Sequence, residues 1–277
     1  MSSALVLRQR NSVHMMTDAC SYQAPSGILR AVNLSKCLAM PTLNAAVSST
    51  GPSENSALFC MGLMKRFSSF DEIIEFGEEA LPEMFEDLSE RFRGNDAISS
   101  LYLIGWHERQ GRPAAYSMEL WTDDSSQLER VLENSPRKAR ERFKFKEELL
   151  AGTPLPGRDL LDAAGFVIHE DDERFVPEID LLHIMEVQRH EEIEGAYWVG
   201  GAALLTSIDR RGITQRVVHR WTEDEIGKPI RPRPIDWKQW RRNHPVNGVP
   251  IGLSADVPDG LNRQQRRQHA RAQRRAS

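Results

Sequence analysis

The chain has 277 residues, 40% of them hydrophobic and 27% charged, with a formal net charge of -4. That is enough chain to bury a core, while the two longest uncharged stretches, 37–53 and 195–208, are too short and too often interrupted by Ser, Thr, Asn, Pro or Gly to span a membrane. Arg8 and Arg10 sit where a secretory leader needs its apolar run, and Cys20, Cys37 and Cys60 form an odd count with no metal-type spacing, which excludes a disulfide scaffold, a zinc ribbon and an integral membrane protein and leaves a cytoplasmic chain with reduced thiols, no metal and no cofactor as the expectation.

Short apolar runs at Ala4–Leu7 and Val13–Met16, joined by 8–12, predict a hairpin. Pro25-Ser26-Gly27 marks a loop, and 28–38 and 43–48 predict two further strands with Pro41 in the turn between them. The period then changes. Ala57, Cys60, Met61 and Met64 follow helical spacing over 53–67, with Glu54 at the start and Lys65-Arg66 at the end, the charge order that suits the helix dipole. Ser69 with Glu72 reads as a capping box that opens a second helix, whose stripe runs through Phe70, Ile73, Ile74, Gly77, Leu81, Phe85, Leu88 and Phe92; Pro82 is expected to kink or split it. Strands follow over 98–106 and 114–121 about a turn at Gln110-Gly111. Residues 125–150 are charged and read as helix, 152–157 as a Pro/Gly break, 179–193 as an amphipathic helix, and 197–208 with 213–221 as a last hairpin around 209–212. Strands, two helices, strands, helices, strands is the order of an α+β sandwich with helices outside the sheets. It occupies residues 1–222, followed by a Pro-, Trp- and Arg-rich extended arm over 223–261 and a basic tail over 262–277.

The charge is unevenly spread: residues 228–277 carry 12 Lys+Arg against 3 acids, while the rest of the chain is acidic. The tail holds Arg263, Arg266, Arg267, Arg271, Arg274 and Arg275 with almost no apolar side chain. Such guanidinium density suits an acidic partner or nucleic acid, although no aromatic residue is interleaved for base stacking, and a solvated tail folding back on its own acidic body is the plainer reading.

The start of the chain carries the chemistry. Removal of Met1, expected before a small residue, makes Ser2 the first residue. Its α-amine, titrating near ~7.7, is then within reach of its own hydroxyl, so one residue supplies both nucleophile and base. Such a site also needs a cation to stabilise developing negative charge, a carboxylate to hold the cation, and a backbone N–H for an oxyanion. Lys36, Asp18 and Gly51 are the candidates: Asp18 lies sixteen residues after Ser2, Lys36 in the next strand-like segment, and Gly51 just before the first long helix.

Ser2, Thr17-Asp18, Ser35-Lys36, Ser49-Thr50-Gly51 and the later Gly200-Gly201 together resemble the N-terminal nucleophile hydrolases, specifically proteasome β-subunits and their simpler bacterial relative. Members open on a Thr, run through a two-strand hairpin to an Asp at the same spacing, and place a Lys in the next strand and a Gly before the first helix pair. The likeness covers residues 2–220 in element order. It implies a four-layer αββα sandwich, two antiparallel sheets between helix layers, that hydrolyses a peptide or amide substrate and assembles into a homo-oligomer. The chain departs from the pattern in using Ser for Thr, in placing Pro52 after Gly51, and in having Glu119–Ser126 where the family carries a Gly-Ser-Gly segment. Because proteasome α-subunits keep the sandwich without a working nucleophile, an inactive assembly or interaction protein using the basic tail is the competing expectation.

Other candidates are plainer. His14, His107 and His219 fall on predicted strands, while His183 and His190 lie seven apart on one helix, unlike the i, i+4 zinc helix. Glu170–Glu173 lacks the alternating pattern of a calcium loop. Trp237 and Trp240, beside Lys238, Arg241 and Arg242, read either as an anchor for a partner or as packing on the parent domain.

Overall fold

The computed structural model describes residues 3–23, 26–51, 54–91, 98–121, 144–148, 150–166 and 172–244. The described chain is mixed α+β and mostly sheet. Its strands are β1 (Ala4–Arg8), β2 (Ser12–Asp18), β3 (Ser21–Gln23), β4 (Ile28–Ala31), β5 (Cys37–Met40), β6 (Ala45–Ser49), β7 (Ile98–His107), β8 (Arg112–Trp121), β9 (Lys146–Glu147), β10 (Leu150–Thr153), β11 (Ala202–Asp209) and β12 (Gly212–Arg220). Its helices are α1 (Asn55–Arg66), α2 (Phe70–Arg91), α3 (Arg158–Ala163), α4 (Pro177–Arg189) and α5 (Trp237–Asn243). The strands form three antiparallel sheets, ordered β10-β1-β2-β11-β12, β5-β6-β7-β8-β9, and the small pair β3-β4. Among the described residues no helix is long and apolar enough to cross a membrane.

Strand alternation decides what packs on what. In the β5–β9 sheet, Val47, Leu101 and Leu103 point to one face, where they meet Phe59, Leu63, Phe70, Ile73 and Phe85 of α1 and α2. The intervening Ala46, Tyr102 and Ile104 point to the other face and meet Ala4, Val6, Val13 and Met15 of the first sheet. Leu5, Leu7 and Met16 are buried on the opposite face of that sheet, and α4 packs on β1, β2, β11 and β12. Arg189, at the end of α4, is wholly buried.

Several boundaries differ from the sequence reading, each for a tertiary reason. The segment 28–38 is two strands: β4 pairs with β3, and 32–36 leave the ladder, with Leu34 N–H donating to Ala19 O at 2.9 Å, before β5 joins β6. Pro82 does not split α2, which is continuous from Phe70 to Arg91; Phe92 lies outside the described residues. Most of the charged stretch predicted as helix, 122–143, also lies outside them, but its far end is strand: β9 pairs β8 and β10 pairs β1. Gly152 belongs to β10 rather than to a break because it faces Leu5, whose side chain lies 2.5 Å from where a Cβ would stand. β11 begins only at Ala202, since Gly201 takes φ +76°, off the extended conformation.

The compositional arm starts later than its sequence suggests. The chain divides into two compact units at Arg233/Pro234. Residues 223–233 belong with the first: Leu29 N–H donates to Lys228 O and Gly227 N–H to Leu29 O, both at 2.9 Å, and Ile230 is buried with Cys20 and Leu29. In the second unit α5 is capped by Asp236, which accepts from Lys238 N–H at 2.9 Å and Gln239 N–H at 3.2 Å. Trp240 stacks on His244. The arginines of the basic tail lie outside the described residues.

Candidate active site

Ser2 lies outside the described residues; Asp18, Lys36 and Gly51 lie within them. Asp18 ends β2, and the β1–β2 register, which pairs Ala4 with Thr17, brings it beside Ser3. The backbone N–H of Ser3, the amide that joins it to Ser2, donates to Asp18 Oδ1 at 2.9 Å, and Asp18 N–H returns a bond to Ser3 O at 3.4 Å. Lys36 arrives from the irregular segment before β5 and places Nζ 2.7 Å from both Asp18 oxygens. The aspartate side chain is 0% exposed and that of the lysine 8%. A buried ion pair must recover the hydration both ions lose, so it is held only by good geometry and further hydrogen bonds. Here Cys20 supplies one more, its thiol donating to Asp18 Oδ2 at 3.0 Å, so three donors make four hydrogen bonds to one carboxylate. Tyr22 lies alongside, its ring centroid 5.9 Å from Nζ.

The two cysteines nearest the pair in sequence are buried and held toward the neutral thiol. Burial, followed by the neighbouring Asp18 charge, pushes the Cys20 thiol well above its ordinary range, and burial pushes Cys37 up to about 12. Thr17 Oγ1, on the strand face opposite Asp18, is buried and has no hydrogen-bond partner among the described residues.

Gly51 follows β6 at the same end of its sheet as Lys36: Cys37 pairs with Ser48, so the strand leads past Lys36 into Thr50 and Gly51. Gly51 is exposed, with φ +97°. The turn is pinned by Thr50, whose N–H donates to Ser100 O at 2.9 Å and whose Oγ1 accepts from Ser100 N–H at 2.8 Å. Asp18 and Lys36 are therefore brought together; among the described residues no hydrogen bond joins Gly51 to either.

Residues far along the chain complete the surroundings. Ser3 Oγ donates to Gln188 Oε1 at 2.5 Å, and Gln188 Nε2 donates to Pro154 O. Next to it Arg189 pairs with Asp224 through two bonds, Nη2–Oδ1 at 2.7 Å and Nη1–Oδ2 at 3.0 Å, reaches Glu223 at 3.1 Å, and lies over the Trp221 ring. Asp224 Oδ2 also accepts from Gly201 N–H at 2.6 Å. Gly201 in turn lies so close to Val32 that a Cβ would stand 2.6 Å from Val32 O, which requires glycine there. None of Ser3, Gln188 or Asp224 carries a local motif. The helix read as amphipathic over 179–193 is instead buried on all sides from Asp180 to Arg189, so its polar side chains need partners inside the protein.

Three of the histidines, His14, His107 and His190, are hydrogen-bonded within the protein. His107 bridges Asp71 and Tyr116 at 2.9 Å each, and His14 bridges Ser12 at 2.9 Å and Ser207 at 2.8 Å. His190 contacts the carbonyls of Glu186 and Arg233, both at 2.9 Å. Among the described residues no three His, Cys, Asp or Glu side chains are grouped to hold a metal ion; in the acidic loop 170–173, Glu170 and Asp171 lie outside the described residues and Glu173 accepts from Arg10 N–H. No family model matches the sequence, and no curated protein matches it.

Proposed function

We propose that the protein is an amide or peptide hydrolase of the N-terminal nucleophile type, acting through Ser2 after removal of Met1. The observation that carries this reading is the buried Asp18–Lys36 pair at the head of β1, with the amide nitrogen of the Ser2–Ser3 bond 2.9 Å from the same carboxylate. A lysine held there lowers the proton affinity of a neighbouring amine and offsets charge that builds on an attacked carbonyl. Ser2 Oγ attacks the carbonyl carbon of the substrate and its proton passes to the Ser2 α-amine. Collapse of the tetrahedral intermediate breaks the C–N bond, and the leaving amine takes that proton. Water, deprotonated by the same α-amine, then hydrolyses the acyl ester and returns Ser2. Asp18 orients Lys36, and the Gly51 N–H serves as oxyanion donor.

The same reading takes the two five-stranded sheets and their flanking helices as a four-layer αββα sandwich of the proteasome β-subunit type. Met61, Met64 and Phe76, exposed on α1 and α2, are the apolar surface that a homo-oligomer would cover. Cys20, Cys37 and Cys60 are free thiols, in keeping with a cytoplasmic protein. Intact mass is expected to be short of Met1, and a β-lactone probe is expected to add one equivalent to wild type and none to Ser2→Ala. Retention of Met1 would falsify the catalytic claim.

A further inference from the structure

We infer that Gln188 is a positioning residue for the proposed N-terminal reaction, holding Ser3, the residue bonded to the proposed nucleophile, against Asp18. The inference rests on that reading of the site. Alternation along β1 turns Ser3 to the face of Leu5 and Leu7, away from Ala4 and Val6, and α4 packs on β1 from that face. Ser3 is wholly buried, so its hydroxyl needs a partner within the protein. Gln188 supplies it at 2.5 Å and is itself only 2% exposed.

Three hydrogen bonds then fix one residue: its N–H to Asp18, its carbonyl from Asp18 N–H, and its hydroxyl to Gln188. The first joins its backbone to the Asp18 carboxylate and the second joins the two backbones, so both hold it to the end of β2; the third comes from a separate element, α4. Gln188 is clamped in turn. Its Nε2 is tied to Pro154 O, just past the β10 residue that pairs with Ala4. Its neighbour Arg189 is locked by Asp224, which also holds Gly201 against Val32, in the segment that delivers Lys36. The start of β1, the end of β10 and the end of α4 thus meet at one side chain. A nucleophile gains its rate advantage only when held within a fraction of an ångström of the attacking geometry, which gives this clamp a catalytic consequence.

The test is a double-mutant cycle on the full chain: Gln188→Met, which keeps volume but removes both polar groups, Ser3→Ala, and the pair, with Gln188→Glu retaining an acceptor for Ser3. The readouts are the second-order rate of β-lactone labelling at Ser2, its pH midpoint, and urea stability. Expected are labelling rates about tenfold slower for each single variant, a double variant no slower than either, a displaced pH midpoint, and recovery by Gln188→Glu of most of the lost rate. Wild-type protein that takes no label overturns the hydrolase reading itself. Labelled wild type with Gln188→Met at the wild-type rate, or with additive losses in the double variant, or with lowered stability and an unchanged midpoint, overturns the positioning role and leaves the hydrolase reading standing.

Discussion

Lys36 places its ammonium 2.7 Å from each oxygen of Asp18, inside the protein, across a gap of eighteen residues in sequence. The carboxylate closes β2 and the lysine precedes β5, so the pair joins two sheets that share no backbone ladder. Removing either partner leaves a buried charge. Lys36→Met or Asp18→Asn is expected to destabilise the fold by about 3–5 kcal/mol, whereas the double variant Asp18→Asn/Lys36→Met is expected to recover much of that loss. Urea unfolding of the three proteins checks this.

Arg189 and Asp224 make a second buried pair with a fixed fork geometry. Arg189→Lys keeps the charge and loses the second bond to the carboxylate. A loss of about 2 kcal/mol is expected, with faster amide exchange around Gly200-Gly201 and Ser3. Wild-type stability in Arg189→Lys would show that the bidentate contact is dispensable.

His14 is held near pKa 4, mainly by burial and secondarily by the Arg216 charge, against an ordinary 6.5. Above 6.5 the ring is neutral in both folded and unfolded chains and contributes nothing to the pH dependence. Between 6.5 and 4 the unfolded chain takes up a proton that the folded protein refuses, so stability falls as pH falls, by about 3 kcal/mol in all. Relative to wild type, His14→Asn is expected to lack this loss, measured as the difference between their stability–pH curves from pH 4 to 7.

Asp180 behaves in the opposite sense. Burial raises its pKa from 3.8 to about 6, against which Val176 N–H donates to Oδ2, while Oδ1 has no hydrogen-bond partner among the described residues. Below 3.8 both states are protonated; as pH rises to 6 the unfolded chain ionises first, so stability is lost on going up through this window. Asp180→Asn is expected to match wild type near pH 4 and to exceed it by about 1–2 kcal/mol above pH 6. Equal stabilities at pH 7 would overturn the assignment.

What the linear chain determines by itself is what depends on neighbours a few residues apart. The continuous apolar runs at Ala4–Leu7 and Val13–Met16 identify strands buried on both faces, and the helical stripes of α1 and α2 identify helices, because which faces are buried is written in the spacing. Asp18 is legible as a candidate from its place sixteen residues after Ser2, and Lys36 from its place in the strand-like segment 28–38, although the structure puts Lys36 in the irregular stretch before β5. The rest was decided by packing. The stretch at 150–153 becomes strand through its pairing with β1, and 223–230 joins the body through Leu29 and Arg189. Gln188 reaches Ser3 across 185 positions. No local pattern encodes such a meeting, because a buried hydroxyl demands only some partner, and which one answers depends on where the sheet and helix faces close on each other.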